Sequence, residues 1–168
     1  MSYSRMFVYF LMFFIPISSV YAGTLPSPEG KVILTISGNI TNTNNGKTAE
    51  FDRAMLESLG VQSMQTSSPW YDHRTQFEGI NFNKLMQFVG ASGTKVTATA
   101  LNDYVTTIPL EDFQKFDVLL AMKRDGQYMS VRDKGPLFII YPFDSDPQLQ
   151  SQTYYTRSAW QVARLNVE

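Results

Sequence analysis

Short apolar segments of four to eight residues recur from residue 32 to the C-terminus, and they do not alternate regularly with helical segments. Runs of this length, rich in Val, Ile, Thr and aromatic residues and bounded by turn residues, are typical of β-strands. A parallel α/β fold would need steady alternation of strand and helix, so the pattern favours an α+β domain with a mostly antiparallel or mixed sheet. The predicted strands cover residues 32–36, 61–67, 95–101, 105–108, 117–122, 137–141 and 160–167.

Helical spacing of apolar residues is clear in two places. Residues 48–59 place apolar side chains on one face, with Thr48 as the predicted N-cap and Gly60 as the stop. Residues 82–89 show the same spacing and predict a second helix. Further predicted elements are helical turns within residues 110–116 and 148–155 and a hairpin turn at Asp125-Gly126.

The first 22 residues have the pattern of an export signal. Arg5 is their only charge, an apolar run covers residues 6–17, and Val20-Tyr21-Ala22 forms a small-x-small cleavage pattern. We therefore expect a Sec-type signal peptide that is cleaved after Ala22, with an uncleaved, membrane-anchored start as the alternative. Residues 23–30 are interpreted as a flexible lead-in, and residues 31–168 as one domain.

This chain has few residues that could bind a metal ion or form a Ser-His-Asp catalytic triad. It contains no cysteine and one histidine, His73. A metal site built from two His residues, or from Cys and His, is therefore excluded within the chain. A Ser-His-Asp triad would have to use His73, which we interpret as a solvated loop residue in the polar segment 70–74.

The charge pattern argues against nucleic acid and nucleotide phosphates as ligands. The 168 residues carry a formal net charge of -1, and the Lys and Arg residues are scattered. No Gly-rich phosphate loop is present in the sequence. The carboxylate pairs Glu111-Asp112 and Asp144 with Asp146 are interpreted as parts of helix starts and loops.

Three segments at predicted strand ends carry side chains suited to binding a ligand. Strand-end loops on a rigid sheet are common positions for binding groups. Residues 66–71 combine hydroxyls with two aromatic rings, residues 100–104 combine an amide, a carboxylate and a phenol, and residues 129–137 hold two cations and a carboxylate. Ordinary turn chemistry is the alternative for each segment. The candidate ligand-binding residues are Thr66, Ser67, Trp70, Asn102, Asp103, Tyr104, Arg132, Asp133 and Lys134.

The order and spacing of these motifs resemble the molybdopterin-binding domain of the sulfite-oxidase family. The resemblance spans about residues 31–167 and is carried by residues 77–80, 100–104, 108–110, 119–121, 132–137 and 141–142. It implies a mixed, β-rich α+β fold with a pterin pocket. Members of this family bind molybdenum through a cysteine on the segment that corresponds to Thr66-Ser67, where this chain has hydroxyls. Tyr104 falls where these enzymes carry an active-site tyrosine.

A narrower resemblance is to short, cysteine-free periplasmic members of the family. It implies a non-catalytic pterin-binding regulator in the periplasm, with a pterin rather than molybdenum as its ligand. The partner would be the periplasmic domain of a membrane protein that makes or degrades cyclic di-GMP through GGDEF or EAL domains. Because Arg5 stands alone, twin-arginine export of a cofactor-loaded protein is not expected. Residues carried over by position are Trp70, Asn102, Asp103, Tyr104 and Arg132.

The chemistry of a pterin suggests roles for these side chains. A carboxylate from Asp103 or Asp133 would accept two hydrogen bonds from the ring N3–H and the exocyclic amine. Trp70 or Tyr104 would stack on the flat ring. Two alternatives remain: a molybdopterin-dependent oxidoreductase with a non-cysteine metal environment, and an interaction protein with an empty pocket.

Overall fold

The computed structural model describes residues 23–168, so the expected signal peptide at residues 1–22 lies outside the described part. Within residues 23–168 the chain forms ten strands, four short α-helices and two 3-10 turns, at Val131–Asp133 and Pro147–Leu149. The helices are α1 (Arg53–Ser58), α2 (Phe82–Phe88), α3 (Leu110–Lys115) and α4 (Gln152–Arg157). The strands are β1 (Leu34–Gly38), β2 (Ala49–Phe51), β3 (Val61–Ser68), β4 (Tyr71–Asn81), β5 (Lys95–Ala100), β6 (Val105–Pro109), β7 (Leu119–Arg124), β8 (Gln127–Tyr128), β9 (Phe138–Ile140) and β10 (Val162–Val167).

The strands form two sheets. The first sheet has the order β2-β1-β10-β5-β6, and the second has the order β3-β4-β7-β8 with β9 also paired to β7. Strands β1 and β10 are parallel, with Thr35 opposite Arg164, whereas the other pairs are antiparallel. The prediction of a mixed, strand-rich α+β domain with few short helices is thus confirmed. None of the helices in residues 23–168 has the length and apolar content needed to cross a membrane.

Alternating side chains of the strands and one face of each helix supply the core. On β5, Val96, Ala98 and Ala100 are buried, as their alternation predicts. Phe82 of α2 stacks on Phe113 of α3, with ring centroids 3.9 Å apart. Burial of each such side chain contributes about 1.5–3 kcal/mol to folding. The core therefore holds the helices on the sheets, although each helix is too short to be stable alone.

Strand β4 was not predicted by the sequence pattern. Trp70 lies in a turn and His73 is exposed to solvent, but the interpretation of residues 71–74 as a loop is wrong, because Tyr71 begins an eleven-residue strand. Local polarity gives no strand signal here, and pairing with β3 decides the conformation. Thr66 lies opposite Thr75 in that pairing.

The predicted start of the first helix at Thr48 is also wrong. Residues 49–51 pair with β1 as strand β2, and Asp52 caps α1 by accepting a hydrogen bond from the Met55 N–H at 2.9 Å. The same carboxylate accepts hydrogen bonds from the backbone N–H groups of Glu29 (2.9 Å) and Gly30 (2.7 Å). Asp52 therefore joins the lead-in at residues 23–30 to α1.

The Asp52 carboxyl is expected to contribute measurably to stability. The backbone N–H groups of Met55 and Gly30, followed by that of Glu29, lower its pKa below the ordinary value. Asp52→Ala should reduce the free energy of unfolding by about 1–2 kcal/mol, the usual cost of losing a helix cap. Because the folded pKa lies below the unfolded pKa, the contribution is present above about pH 4 and disappears as the pH falls through the folded pKa.

Urea denaturation of both proteins at pH 7 and at decreasing pH measures this effect. Asp72→Ala is the control, since Asp72 lies exposed on β4 and should change stability by less than about 0.5 kcal/mol. Equal losses for the two variants, or a difference that grows on acidification, would contradict the role of Asp52.

Candidate ligand-binding cleft

A cleft of about 340 Å³ opens where two hairpin turns meet α4 and the segment that leads into β10. The β3–β4 turn and the β5–β6 turn form one side of it, and α4 forms the other. Two larger grooves of about 540 and 460 Å³ exist elsewhere, so volume does not distinguish this cleft. Its aromatic lining does: the wall residues are Pro69, Trp70, Asn102, Tyr104, Gln152, Tyr155, Thr156, Ser158 and Trp160.

Trp70 is fixed by edge-to-face contacts with four other rings. It occupies the second position of the two-residue turn between β3 and β4. Its ring centroid lies 5.4 Å from Phe138, 5.9 Å from Trp160, 6.0 Å from Phe143 and 6.1 Å from Tyr155. Such contacts are worth about 0.5–1.5 kcal/mol each beyond area burial. Both tryptophans of the chain are therefore held rigidly while remaining half-buried at the cleft.

Polar groups enter the cleft from the β5–β6 turn and from α4. The Tyr104 hydroxyl donates to the Thr156 carbonyl at 2.8 Å and so ties the turn to the helix. The Asn102 side-chain oxygen accepts the Tyr104 N–H at 3.2 Å, and this bond does not use the two amide hydrogens of the side chain. Gln152 adds a second carboxamide from the first turn of α4. The cleft thus combines apolar walls with a few groups that both donate and accept hydrogen bonds.

A buried charged network holds α4 in place beside the cleft. Arg157, the last residue of α4, donates to the Asp112 carboxylate at 2.8 Å, and the Tyr141 hydroxyl donates to the same oxygen at 2.7 Å. Asp112 is buried. Burial, followed by the hydrogen bond to Asp112, raises the pKa of Tyr141 above its ordinary value. The hydroxyl thus stays protonated as a donor, and α4 is anchored to α3 and to the end of β9.

Three of the predicted site residues meet in the cleft: Trp70, Asn102 and Tyr104. Asp103, which lies between Asn102 and Tyr104 in sequence, has a φ of 61° and a side chain that is 90% exposed. Its nearest charged partner is Arg164 at 3.8 Å. Aspartate tolerates this left-handed conformation, which a tight turn requires. Asp103 therefore shapes the turn, and its carboxylate is not among the groups that line the cleft.

Thr66 and Ser67 lie outside the aromatic cleft, beside a smaller one of about 220 Å³ that Thr66 lines. The Thr66 hydroxyl accepts the Asp144 N–H at 3.2 Å, and the Ser67 N–H donates to the Asp144 carboxylate at 2.9 Å. Arg74 pairs with that carboxylate at 2.9 Å. Burial opposes ionisation of Asp144, but the Ser67 hydrogen bonds and the Arg74 ion pair outweigh it and lower the pKa of this carboxyl.

The residues of segment 132–134 do not line the cleft. Asp133 pairs with Arg124 at 2.7 Å, so its carboxylate is already engaged. The Lys134 amine lies 4.6 Å from the ring centroid of Trp160, a cation–π distance. Arg132 is exposed. This segment therefore supports one wall of the cleft through Trp160.

Sequence reasoning missed the residues that α4 and the following segment contribute. The cleft is also lined by Gln152, Tyr155, Thr156, Ser158 and Trp160, none of which was a candidate residue. The only local signal was the density of aromatic residues between positions 154 and 160.

In residues 23–168 no group of three or more His, Asp or Glu residues is arranged to hold a metal ion. Compared with known proteins, the chain matches no family model and no curated protein.

The Asp112 network generates a stability prediction. Asp112→Asn keeps the side-chain volume but leaves Arg157 without its charged partner, so the free energy of unfolding should fall by about 2–4 kcal/mol. Amide hydrogen exchange in α4 should also accelerate. Urea denaturation and hydrogen-exchange mass spectrometry measure the two effects.

The neighbouring carboxylate supplies the control for this variant. Glu111→Gln changes an exposed residue in the same first turn of α3 and should cost less than about 0.5 kcal/mol. Comparable losses for the two variants would show that Asp112 does not anchor α4.

Proposed function

We propose that this protein is a non-catalytic pterin-binding protein and that the aromatic cleft is its binding site. The observation that carries the proposal is the convergence of Trp70, Trp160, Tyr104 and Tyr155 with two carboxamides in a cleft of about 340 Å³. Protein sites for small molecules occupy roughly 300–1,000 Å³ and combine aromatic walls with a few polar groups. A cleft at the lower end of that range suits a flat bicyclic ring.

We propose that carboxamide side chains bind the hydrogen-bonding edge of the pterin, in place of the Asp103 or Asp133 carboxylate that the sequence suggested. A pterin presents an N3–H, an exocyclic amine and a carbonyl along one side, so it needs both acceptors and donors. The side chains of Asn102 and Gln152 offer both. Asp103 lies outside the cleft and Asp133 is engaged by Arg124, which makes them poorer candidates for this role.

The proposed ligand is a pterin without molybdenum. Thr66 lies in the segment Thr66-Ser67, where the resemblance places the metal-binding cysteine, and its hydroxyl donates to the Ser67 carbonyl at 3.2 Å and accepts from the Asp144 N–H. A buried hydroxyl engaged in this way does not fit the role of a thiolate ligand. We therefore assign no redox step to this chain.

The wider role is proposed on the resemblance over residues 31–167. The fold would be of the sulfite-oxidase type, and the protein would act in the periplasm as a pterin sensor for a membrane GGDEF or EAL protein.

Deleting the gene should change the cellular level of cyclic di-GMP. Restoring the wild-type gene should reverse that change, whereas a Trp70→Ala gene should not.

Ligand binding is tested by titration calorimetry with 6,7-dimethylpterin. The matched ligand is 6,7-dimethyllumazine, in which an oxygen replaces the exocyclic amine. Trp70→Ala should weaken pterin binding by about 1–3 kcal/mol, the scale of aromatic stacking with nucleobases. Phe88→Ala, on α2, should leave the affinity unchanged. Equal affinity for pterin and lumazine would contradict the proposed edge recognition, and no effect of Trp70→Ala would remove the cleft from consideration.

The two neighbouring residues Asn102 and Asp103 distinguish the proposed edge contacts from simple turn chemistry. Asp103→Asn should leave both pterin affinity and thermal stability unchanged, because asparagine adopts the left-handed conformation as readily. Asn102→Asp should weaken binding by about 1–3 kcal/mol, because it removes two donors and adds an unpaired charge. Calorimetry and thermal melts of both variants measure these effects. If Asp103→Asn weakens pterin binding more than Asn102→Asp does, Asp103 rather than Asn102 makes the edge contact.

A further inference from the structure

A second concave surface lies on the other side of the β5–β6 turn. This groove, which we call the basic groove, has a volume of about 460 Å³. Three aliphatic side chains along it are unusually exposed: Val32 at 36%, Leu101 at 51% and Val131 at 50%. Buried Leu34 and Met129 also line it. Clustered exposed apolar side chains are typical of an interaction surface.

The groove also concentrates positive charge. Lys31, Arg53 and Arg164 line it, and none of its lining residues in the described part of the chain is acidic. Asp103 lies 3.8 Å from Arg164, but this pair is strongly screened because Asp103 is 90% exposed. Glu29, Asp52 and Glu57 line the neighbouring groove of about 540 Å³, which Lys31 and Arg53 also border, and none of the three lines the basic groove. The groove is thus cationic on a chain whose net charge is -1.

We propose that the basic groove docks a segment of a partner protein in which apolar side chains alternate with Asp or Glu residues. An inorganic anion or a phosphate alone would leave the three exposed aliphatic side chains uncovered. A purely apolar segment would bury three cations without partners, which is unfavourable. An acidic and apolar segment satisfies both requirements, and its charges would also speed association.

The groove is connected to the ligand cleft through Gln161, which follows Trp160. The Gln161 carbonyl accepts the Leu101 N–H at 2.9 Å, and its side-chain amide donates to the Val131 carbonyl at 2.6 Å. Two groove residues are therefore hydrogen-bonded to the neighbour of a cleft tryptophan. The β5–β6 turn makes a second connection, since Leu101 faces the groove whereas Asn102 and Tyr104 line the cleft.

This connection gives a physical route by which a ligand in the cleft would alter partner binding. That part of the inference rests on the proposed pterin-binding function, whereas the docking surface itself does not. Coupling between two sites is reciprocal, so each occupant should change the affinity of the other by the same factor.

Docking is tested with a phage-displayed library of random 12-residue peptides, selected on protein produced from the full chain. We expect the enriched peptides to contain Asp or Glu together with Leu, Ile, Val or Phe. A resynthesised peptide, labelled with fluorescein, should bind at least tenfold more weakly to the double variant R53E/R164E in an anisotropy titration. Its affinity for the wild type should fall as salt is added.

The control variant is K47E/K84E, which makes the same charge change at two exposed lysines outside the groove. It should retain the wild-type peptide affinity within about twofold. Thermal melts establish that both double variants are folded. Failure to enrich peptides, enrichment of peptides without acidic residues, or equal loss in both variants would each overturn the docking proposal. Self-association of the protein that R53E/R164E abolishes would make a second copy the occupant and would overturn it too.

The link to the cleft is tested by repeating the titration with saturating 6,7-dimethylpterin. A change of at least threefold in peptide affinity is expected. An unchanged affinity with the pterin bound would reject the coupling and leave the docking surface standing. If the pterin itself does not bind, the proposed function fails while the peptide result on the unliganded protein still decides the docking proposal.

Discussion

The packing of Trp70 against Phe138 and Trp160 joins the two sheets at the cleft. Trp70 comes from the β3–β4 turn of the second sheet, and Phe138 belongs to β9 in the same sheet. Trp160 precedes β10 of the first sheet and forms an isolated bridge with Phe138. Around that bridge the Ile139 N–H donates to Ala159 and the Val162 N–H donates to Leu137, at 2.9 and 3.0 Å. The two sheets therefore meet at an aromatic cluster, and the solvent-exposed parts of Trp70 and Trp160 in this cluster line the cleft.

Strong local signals account for the parts of the fold that the sequence predicts correctly. Strands such as β5 alternate buried and exposed residues, and the Asp125-Gly126 turn has positive φ at both residues, as a tight hairpin requires. Strand β4 was missed because its first half is polar and acquires its conformation by pairing with β3. Asp52 was missed as a helix cap because Thr48 offered an equally plausible signal three residues before the strand ended.

The candidate site also contains residues that local sequence signals identify and residues whose position depends on contacts distant in sequence. Trp70, Asn102 and Tyr104 could be identified because they lie in two hairpin turns, Trp70 between β3 and β4 and the other two between β5 and β6. The contribution of α4 could not, because its position depends on the pair between Arg157 and Asp112, which are 45 residues apart in sequence. Likewise, the outward direction of Asp103 depends on a backbone φ of 61° that the residue types alone do not specify.

The proposed pterin cleft and the proposed docking groove are connected through the backbone. A rigid aromatic cleft with carboxamide groups suits a flat heterocycle, and the basic groove beside it suits an acidic segment of another protein. Gln161 is hydrogen-bonded to the groove residues Leu101 and Val131 and follows the cleft residue Trp160. The proposed regulatory role needs such a connection, because coupling requires that binding at one site alter the affinity of the other.

The chain contains two tryptophans, and both line the cleft, so their indole N–H signals report directly on its occupancy. In a proton–nitrogen correlation spectrum of ¹⁵N-labelled protein, titration with 6,7-dimethylpterin should shift both indole signals with one common dissociation constant. Indole signals that stay fixed throughout the titration would contradict the assignment of this cleft as the pterin site.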